Sequence, residues 1–253
     1  AQAAQGLRRP MAALGKDEAP PLSFFEEVYH EPHGAPWDIG LPQPALQVAV
    51  EDGEVLGPRV LDVGCGAGDN AVFLAGRGFD VVAFDIVEAA VDIAKDRVAH
   101  AGPFPGSVEV HRADVFQLAE VPAIGASLFD TVYDSAFIHG VGDDATQQRY
   151  VAVLAENVRP GGRLLVHAFS DLNVGPWCGP RRTSEEHLRN LICEKTGWHV
   201  ERVRPAGYTY YDNLGHCVKE MKANFLVATR LDDNCGPSAA TRGEDTPVPV
   251  AAT

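Results

Sequence analysis

The chain has 253 residues, 45% hydrophobic and 22% charged. That is enough for one large α/β domain with a buried core, and it argues against a disordered or fibrous chain. Lys+Arg number 21 against 35 Asp+Glu, a formal net charge of -14, which disfavours nucleic acid and anionic membranes as partners. The five cysteines (Cys65, Cys178, Cys193, Cys217 and Cys235) form no CxxC pair, so neither a disulfide framework nor a structural zinc site is expected. No run of about 18 apolar residues is present. The stretch Met11-Ala-Ala-Leu14 after Arg8-Arg9 is too short for a secretory signal, and the expected setting is a reducing cytoplasm.

Residues 1–21 carry Ala, Gly and Pro without sustained periodicity and are expected to form a mobile arm. Residues 22–57 hold Pro36, Gly40, Pro42 and Pro44, spacing that predicts a stiff, extended segment lying before the first strand. From there the pattern is strand, turn, helix. Arg59-Val-Leu-Asp62 reads as a strand ending in a glycine cluster, and 69–77 as a helix. Phe79-Asp-Val-Val-Ala-Phe84 is the next strand, followed by a helix over 87–100 with Val87, Ala90, Val91 and Ala94 at helical spacing. Val108-Glu-Val-His-Arg112 and Phe129-Asp-Thr-Val-Tyr133 read as strands, and 147–158 as a helix stopped by Pro160-Gly-Gly162. Arg163-Leu-Leu-Val-His-Ala-Phe169 is a buried strand. A helix over 184–195 ends at Gly197 with Thr183 as its cap. Two late strands, 198–203 and 223–230, flank an irregular insert over 205–222, and a second mobile tail spans 232–253. Alternating strands and helices require crossovers, hence a doubly wound, mainly parallel sheet.

The sharpest motif is Asp62-Val-Gly64-Cys-Gly66-Ala-Gly68. Glycines between strand and helix let the backbone approach a ligand closely, although a tight turn alone also explains them. Asp62 can face a cationic ligand, and Asp85 ends the second strand, where an acid can accept both hydroxyls of a ribose. Asp114 follows the third strand, where it suits an adenine edge with Val115 offering its backbone N–H; it would also serve as a helix N-cap. Nicotinamide dehydrogenases instead need GxGxxG with a pyrophosphate at the helix N-terminus, and the carboxylate of Asp69 would repel that group.

The succession Val60-Leu-Asp-Val-Gly-Cys-Gly-Ala-Gly68, Phe84-Asp85, Ala113-Asp114, Phe129-Asp130 and Arg159-Pro-Gly-Gly162 resembles the class I S-adenosylmethionine-dependent methyltransferases. The resemblance covers about residues 60–227. It implies a seven-stranded Rossmann-like sheet with an antiparallel last strand and S-adenosyl-L-methionine as cofactor. It places Gly64, Gly66 and Gly68 along the methionine part, Asp85 at the ribose and Asp114 with Val115 at the adenine. Asp62, Trp37, Ile86 and Asp134 complete the implied cofactor set.

Further stretches, Pro36-Trp-Asp-Ile-Gly40, Tyr133-Asp-Ser-Ala-Phe-Ile-His139 and Gly179-Pro-Arg-Arg182, resemble the bacterial branch acting on small heterocyclic and phenolic compounds, near the thiopurine, thiol and tellurite enzymes. That resemblance implies an N-terminal lid. His139 is the candidate general base, since a phenol or N-hydroxy acceptor must lose a proton; a histidine here would also serve as an ordinary hydrogen-bonding group. Tyr29, Phe137, Trp177 and Tyr211 would wall an aromatic acceptor pocket, each also suiting plain core packing, and Arg181 joins the substrate set. Asp134-Ser135 stands where nucleic-acid and protein amino-methylating enzymes carry Asn/Asp-Pro-Pro-Tyr, which argues for a small acceptor. The expected activity is methyl transfer to O, N or S of a small aromatic or heterocyclic molecule. The alternatives are thiol or chalcogen S-methylation, or binding of S-adenosylmethionine without turnover. No metal is expected, and the protein is expected to be a monomer or homodimer.

Overall fold

In the computed structural model, residues 19–173, 181–211 and 218–232 are described. The strands are β1 (Arg59–Val63), β2 (Asp80–Asp85), β3 (Ser107–Arg112), β4 (Phe129–Ser135), β5 (Val158–Phe169), β6 (Trp198–Tyr211) and β7 (Val218–Arg230). They form one sheet in the order β3-β2-β1-β4-β5-β7-β6. The first five run parallel, and β7 pairs antiparallel with both β5 and β6. The helices are α1 (Leu22–Val28), α2 (Pro44–Glu51), α3 (Asp69–Gly76), α4 (Glu88–Ala101), α5 (Pro122–Gly125), α6 (Asp144–Asn157) and α7 (Glu185–Leu191).

The central strands are apolar at successive positions because both faces of the sheet are covered. Leu61, Val82, Val132 and Leu164 face α6 and α7, whereas Val60, Val81, Tyr133 and Leu165 face α2, α3 and α4. Adjacent residues thus serve two different cores, as the two-residue strand period requires. The parallel strands all end at one edge of the sheet, and the loops leaving β1, β2, β3 and β4 there enclose the site. Among the described residues, no helix is long and apolar enough to cross a membrane.

Three expectations are corrected. The segment 22–57 is not extended throughout: Pro44 opens α2 as its first residue, a position where proline's missing N–H costs nothing, and α1 precedes it. The irregular insert over 205–222 is largely strand, because β6 and β7 extend to Tyr211 and from Val218. Pro205 is tolerated since β6 lies at the sheet edge. The cap of α7 is Ser184, whose hydroxyl accepts from the His187 N–H at 3.0 Å, while Thr183 bridges to Ser170.

Candidate active site

The loop from β1 to α3 is built on left-handed glycines: Gly64, Gly66 and Gly68 have φ of +60°, +53° and +84°, a region costly for residues with a Cβ. Space demands glycine as well. A Cβ on Gly64 would meet Phe137 Cδ2 at 2.1 Å, and one on Gly66 would meet the Tyr29 hydroxyl at 2.8 Å. Asp85, at the end of β2, braces the loop: Oδ2 accepts from the Gly66 N–H at 3.0 Å and Oδ1 from the Val87 N–H at 2.9 Å. Burial raises its pKa against those two hydrogen bonds.

Asp62 lies under the loop, fully buried, with neither carboxylate oxygen hydrogen-bonded. Burial first, and then the charges of Asp85, Asp134 and Asp69, raise its pKa to about 7. An orphaned buried carboxylate beside a glycine cradle fits a ligand that brings a cation and lies against bare backbone.

Two chambers open off this cradle. A small one, about 40 Å³, is lined by the glycine loop, Asp69 and Asn70. A larger one, about 260 Å³, is lined by Asp85, Ile86, Asp114 and Val115 on one side and by Leu22, Phe25, Tyr29, Phe137, Phe169 and Tyr208 on the other. They meet at Trp37, Gly64, Ser135 and Tyr208. The N-terminal segment covers the junction. The Trp37 indole N–H donates to the Tyr29 hydroxyl at 2.9 Å, and the rings of Phe24 and Phe25 pack on Trp37 with centroids 6.5 and 6.0 Å away. Arg97 of α4 anchors this segment. Its guanidinium reaches Asp38 at 2.9 and 3.2 Å and Asp69 at 2.5 Å.

The other sequence-derived residues are divided between these chambers and the shell around them. His139 faces the larger chamber, but its Nε2 accepts the Phe169 N–H at 2.7 Å and its ring stacks on Phe169 at 4.5 Å. Burial lowers its pKa to about 3, against a weaker raising effect from the Arg181 backbone. In this arrangement the lone pair is engaged by a backbone N–H and burial weakens the base. Asp134 lines neither chamber. It accepts from the N–H groups of Phe137 (2.8 Å) and Ile138 (3.3 Å) and from the Tyr150 hydroxyl (2.7 Å), so it shapes the turn after β4. Arg181 pairs with Asp144 at the start of α6, and Tyr211 meets the lid only through its N–H, which donates to the Pro36 carbonyl at 2.8 Å; neither lines the chambers. Trp177 lies outside the described residues. Asp114 caps the turn Val115–Glu120, accepting from the Phe116 N–H at 2.9 Å, and still lines the chamber.

Tyr208, Ser135, Phe169, Phe25 and Arg97 were missed. Tyr208 carried a signal, since it begins the aromatic and β-branched run Tyr208-Thr-Tyr-Tyr211, a strand pattern. Arg97 carried none, because its partners lie 59 and 28 residues away.

Residues 60–162 match the family model of a methyltransferase domain. The 2-heptyl-1-hydroxyquinolin-4(1H)-one methyltransferase of Mycobacteroides abscessus is 31% identical over 172 residues, covering 68% of this chain and 71% of that protein. This chain belongs to the class I S-adenosylmethionine-dependent methyltransferases. A solved structure concerned with conversion of a disulfide bond into a thioacetal group during echinomycin biosynthesis is 28% identical, with a TM-score of 0.68, covering 83% of this chain and 91% of that one. The magnesium protoporphyrin IX methyltransferase of Synechocystis PCC 6803, solved with bound SAM, shares the fold at 21% identity and a TM-score of 0.54, covering 74% and 76%. As a member of that family the enzyme uses S-adenosylmethionine as its methyl donor.

Proposed function

We infer that this enzyme methylates the oxygen of a flat, hydroxylated heteroaromatic molecule that is already largely ionised at neutral pH. The observation that carries the reading is the larger chamber. Beyond the residues that border the adenine its walls are aromatic, from Phe25, Phe137, Phe169 and Tyr208, and its described lining offers no side chain free to take a proton. The titratable groups there are Tyr29, Asp85, Asp114, His139 and Tyr208. Burial raises both phenols' pKa values, Asp85 is committed to two backbone amides, Asp114 to the Phe116 N–H, and His139 is engaged at Nε2. An acceptor with an acidic hydroxyl needs no such base. The Mycobacteroides relative's name, a 1-hydroxyquinolone methyltransferase, supports this chemistry.

Within this reading, Gly64, Gly66 and Gly68 let the backbone lie against the methionine part of the cofactor and Asp62 faces its ammonium. Asp85 receives the ribose hydroxyls, and Ile86, Asp114 and Val115 border the adenine. Bound S-adenosylmethionine supplies an electrophilic methyl on a sulfonium. Trp37 and Tyr29 close over the junction and exclude water, and Phe137 and Phe25 sandwich the acceptor ring. The protein's main task is alignment, which is worth several kcal/mol when reactants are held in line. The acceptor is a small molecule, the enzyme works in the cytoplasm, and the domain spans residues 22–231.

A sulfur acceptor is the second reading. A thiolate likewise needs no base, and the 28%-identical structure concerns disulfide conversion to a thioacetal. The experiment is incubation with S-adenosylmethionine and either 2-heptyl-1-hydroxyquinolin-4(1H)-one, a weakly acidic phenol of similar size, or an aryl thiol, with products read by mass spectrometry. Methylation of the N-hydroxy compound well ahead of the phenol is expected. Methylation of the thiol alone would replace the first reading with the second.

A further inference from the structure

Trp37, Gly64, Ser135 and Tyr208 line both chambers. A methyl group moving from a donor over the glycine loop to an acceptor in the aromatic chamber passes between them. The Trp37 N–H is spent on Tyr29, and Gly64 has no side chain, so two hydroxyls remain. Ser135 ends β4, and its Oγ is buried beside the Tyr208 and Tyr133 hydroxyls, with no partner at full hydrogen-bond geometry. Tyr208 stands on β6, 4% exposed, its ring edge-on to Phe169 with centroids 4.8 Å apart. A buried hydroxyl left unpaired costs on the order of 1–3 kcal/mol, and a ligand atom that accepts from it removes that cost.

We propose that Ser135 and Tyr208 form a pair of hydroxyl donors that grips the nucleophilic oxygen of the acceptor and holds one of its lone pairs in line with the methyl group. The proposal rests on the hydroxy-acceptor reading above. Burial raises the Tyr208 pKa and outweighs the lowering by its hydrogen bond with the Ser135 hydroxyl, so the phenol stays protonated and donates. The charged groups acting on Tyr208 are Asp134, Asp62 and Asp69. The Tyr133 hydroxyl also adjoins Ser135, and the His167 ring lies 5.0 Å from the Tyr208 ring. Those carboxylates suit a sulfonium and disfavour an anionic oxygen, so neutral donors are what the oxygen needs at this point. In the step itself, an oxygen lone pair forms the O–CH3 bond while the CH3–S bond breaks and its electron pair stays on sulfur. The acceptor's proton has already gone to solvent, and neither hydroxyl changes protonation.

The test uses the full chain with Tyr208→Phe, Ser135→Ala and Ser135→Thr, and 2-heptyl-1-hydroxyquinolin-4(1H)-one as probe. Three quantities are read: kcat and KM, affinity for S-adenosylhomocysteine by calorimetry, and the pKa of the probe bound beside S-adenosylhomocysteine, followed by its absorbance. Tyr208→Phe and Ser135→Ala should each lower kcat/KM about tenfold or more and raise the bound probe's pKa by about one unit. Affinity for S-adenosylhomocysteine should stay within about twofold, and Ser135→Thr should keep most activity because it keeps the hydroxyl. If kcat/KM and the bound pKa match wild type in both deletions, the donor pair is wrong. Should Tyr208→Phe fail to fold, Ser135→Ala decides alone. If wild type neither binds nor methylates the probe, the hydroxy-acceptor reading falls and this proposal with it; wild-type turnover with indifferent variants overturns the donor pair only.

Discussion

At the scale of single residues, Asp62 bears the greatest unmet electrostatic cost in the site. It is fully buried, bonded to nothing, and raised to about 7. A raised carboxyl pKa means that the folded state holds a proton the unfolded state has released, so stability is lost as pH climbs from about 4 through 7. For a shift of this size the loss is on the order of 4 kcal/mol once the group is ionised. Asp62→Asn should therefore raise the melting temperature of the ligand-free protein most at pH 8 and by only about a third as much at pH 5, where the unfolded carboxyl is ionised but most of the window up to 7 is still to be crossed. The same change removes the counter-charge for the cofactor's ammonium, so S-adenosylmethionine affinity at pH 8 should fall about tenfold or more, as for other buried ionic contacts that lose one partner. Calorimetric titration and thermal melts at the two pH values check both. A lower melting point at pH 8, or unaltered affinity, would show that the carboxylate is satisfied by something other than the cofactor.

Between elements, Arg97 ties the N-terminal segment to the start of α3. It links α4 to Asp38 in the N-terminal segment and to Asp69 at the start of α3, and α1 beyond it has no buried residue of its own. Asp69 keeps a pKa near 6 even so, because burial outweighs the Arg97 charge. Removing the arginine leaves two carboxylates side by side, repelling each other. Arg97→Ala should speed S-adenosylmethionine dissociation by about 10–100-fold, and Arg97→Lys should recover only part, since an ammonium cannot reproduce the two-pronged contact to Asp38. Stopped-flow release measurements test this; a release rate equal to wild type in Arg97→Ala would detach the lid from this ion pair. What sequence could and could not reveal divides along the same line. The parallel strands, the glycine loop and Asp85 are local patterns of adjacent residues, and they were legible. The Arg97 clamp, the Asp134 bracket to Tyr150 and the Tyr208 wall depend on partners brought together by crossovers, and periodicity is blind to them. α2 was hidden by Pro44, which reads as a breaker anywhere except the first helical turn, and nothing in the sequence shows the Phe169 N–H that bonds to the His139 ring.

Over the whole molecule, the buried titratable groups set two opposing trends. His139 and His167 sit near 3 in the folded state, mainly through burial, against about 6.5 when unfolded. The unfolded chain binds their protons first, so the stability these residues allow is lost as pH falls from about 6.5. Asp62, Asp134 and Asp69 are raised to about 7, 6 and 6, again chiefly by burial. Their stability is full below about 4 and is lost as pH rises through those values. From about pH 4 to 6 the three carboxyls outweigh the two histidines by one proton, and Asp85, raised by burial too, acts in the same direction, so stability should decline with rising pH by at least about 1.4 kcal/mol per unit. Below pH 4 the carboxyls titrate in both states, the histidines dominate, and acid unfolds the protein. The formal net charge of -14 adds self-repulsion on the alkaline side. The ligand-free enzyme should thus be most stable near pH 4–5 and level off above 7, as urea midpoints from pH 4 to 9 would record. Saturating S-adenosylmethionine should stabilise it more at pH 8 than at pH 5, because an ammonium beside Asp62 rewards the ionised carboxylate. A ligand-free optimum at pH 7–8 would mean that these carboxyls ionise at their ordinary values, and that solvent reaches beneath the glycine loop where the fold places none.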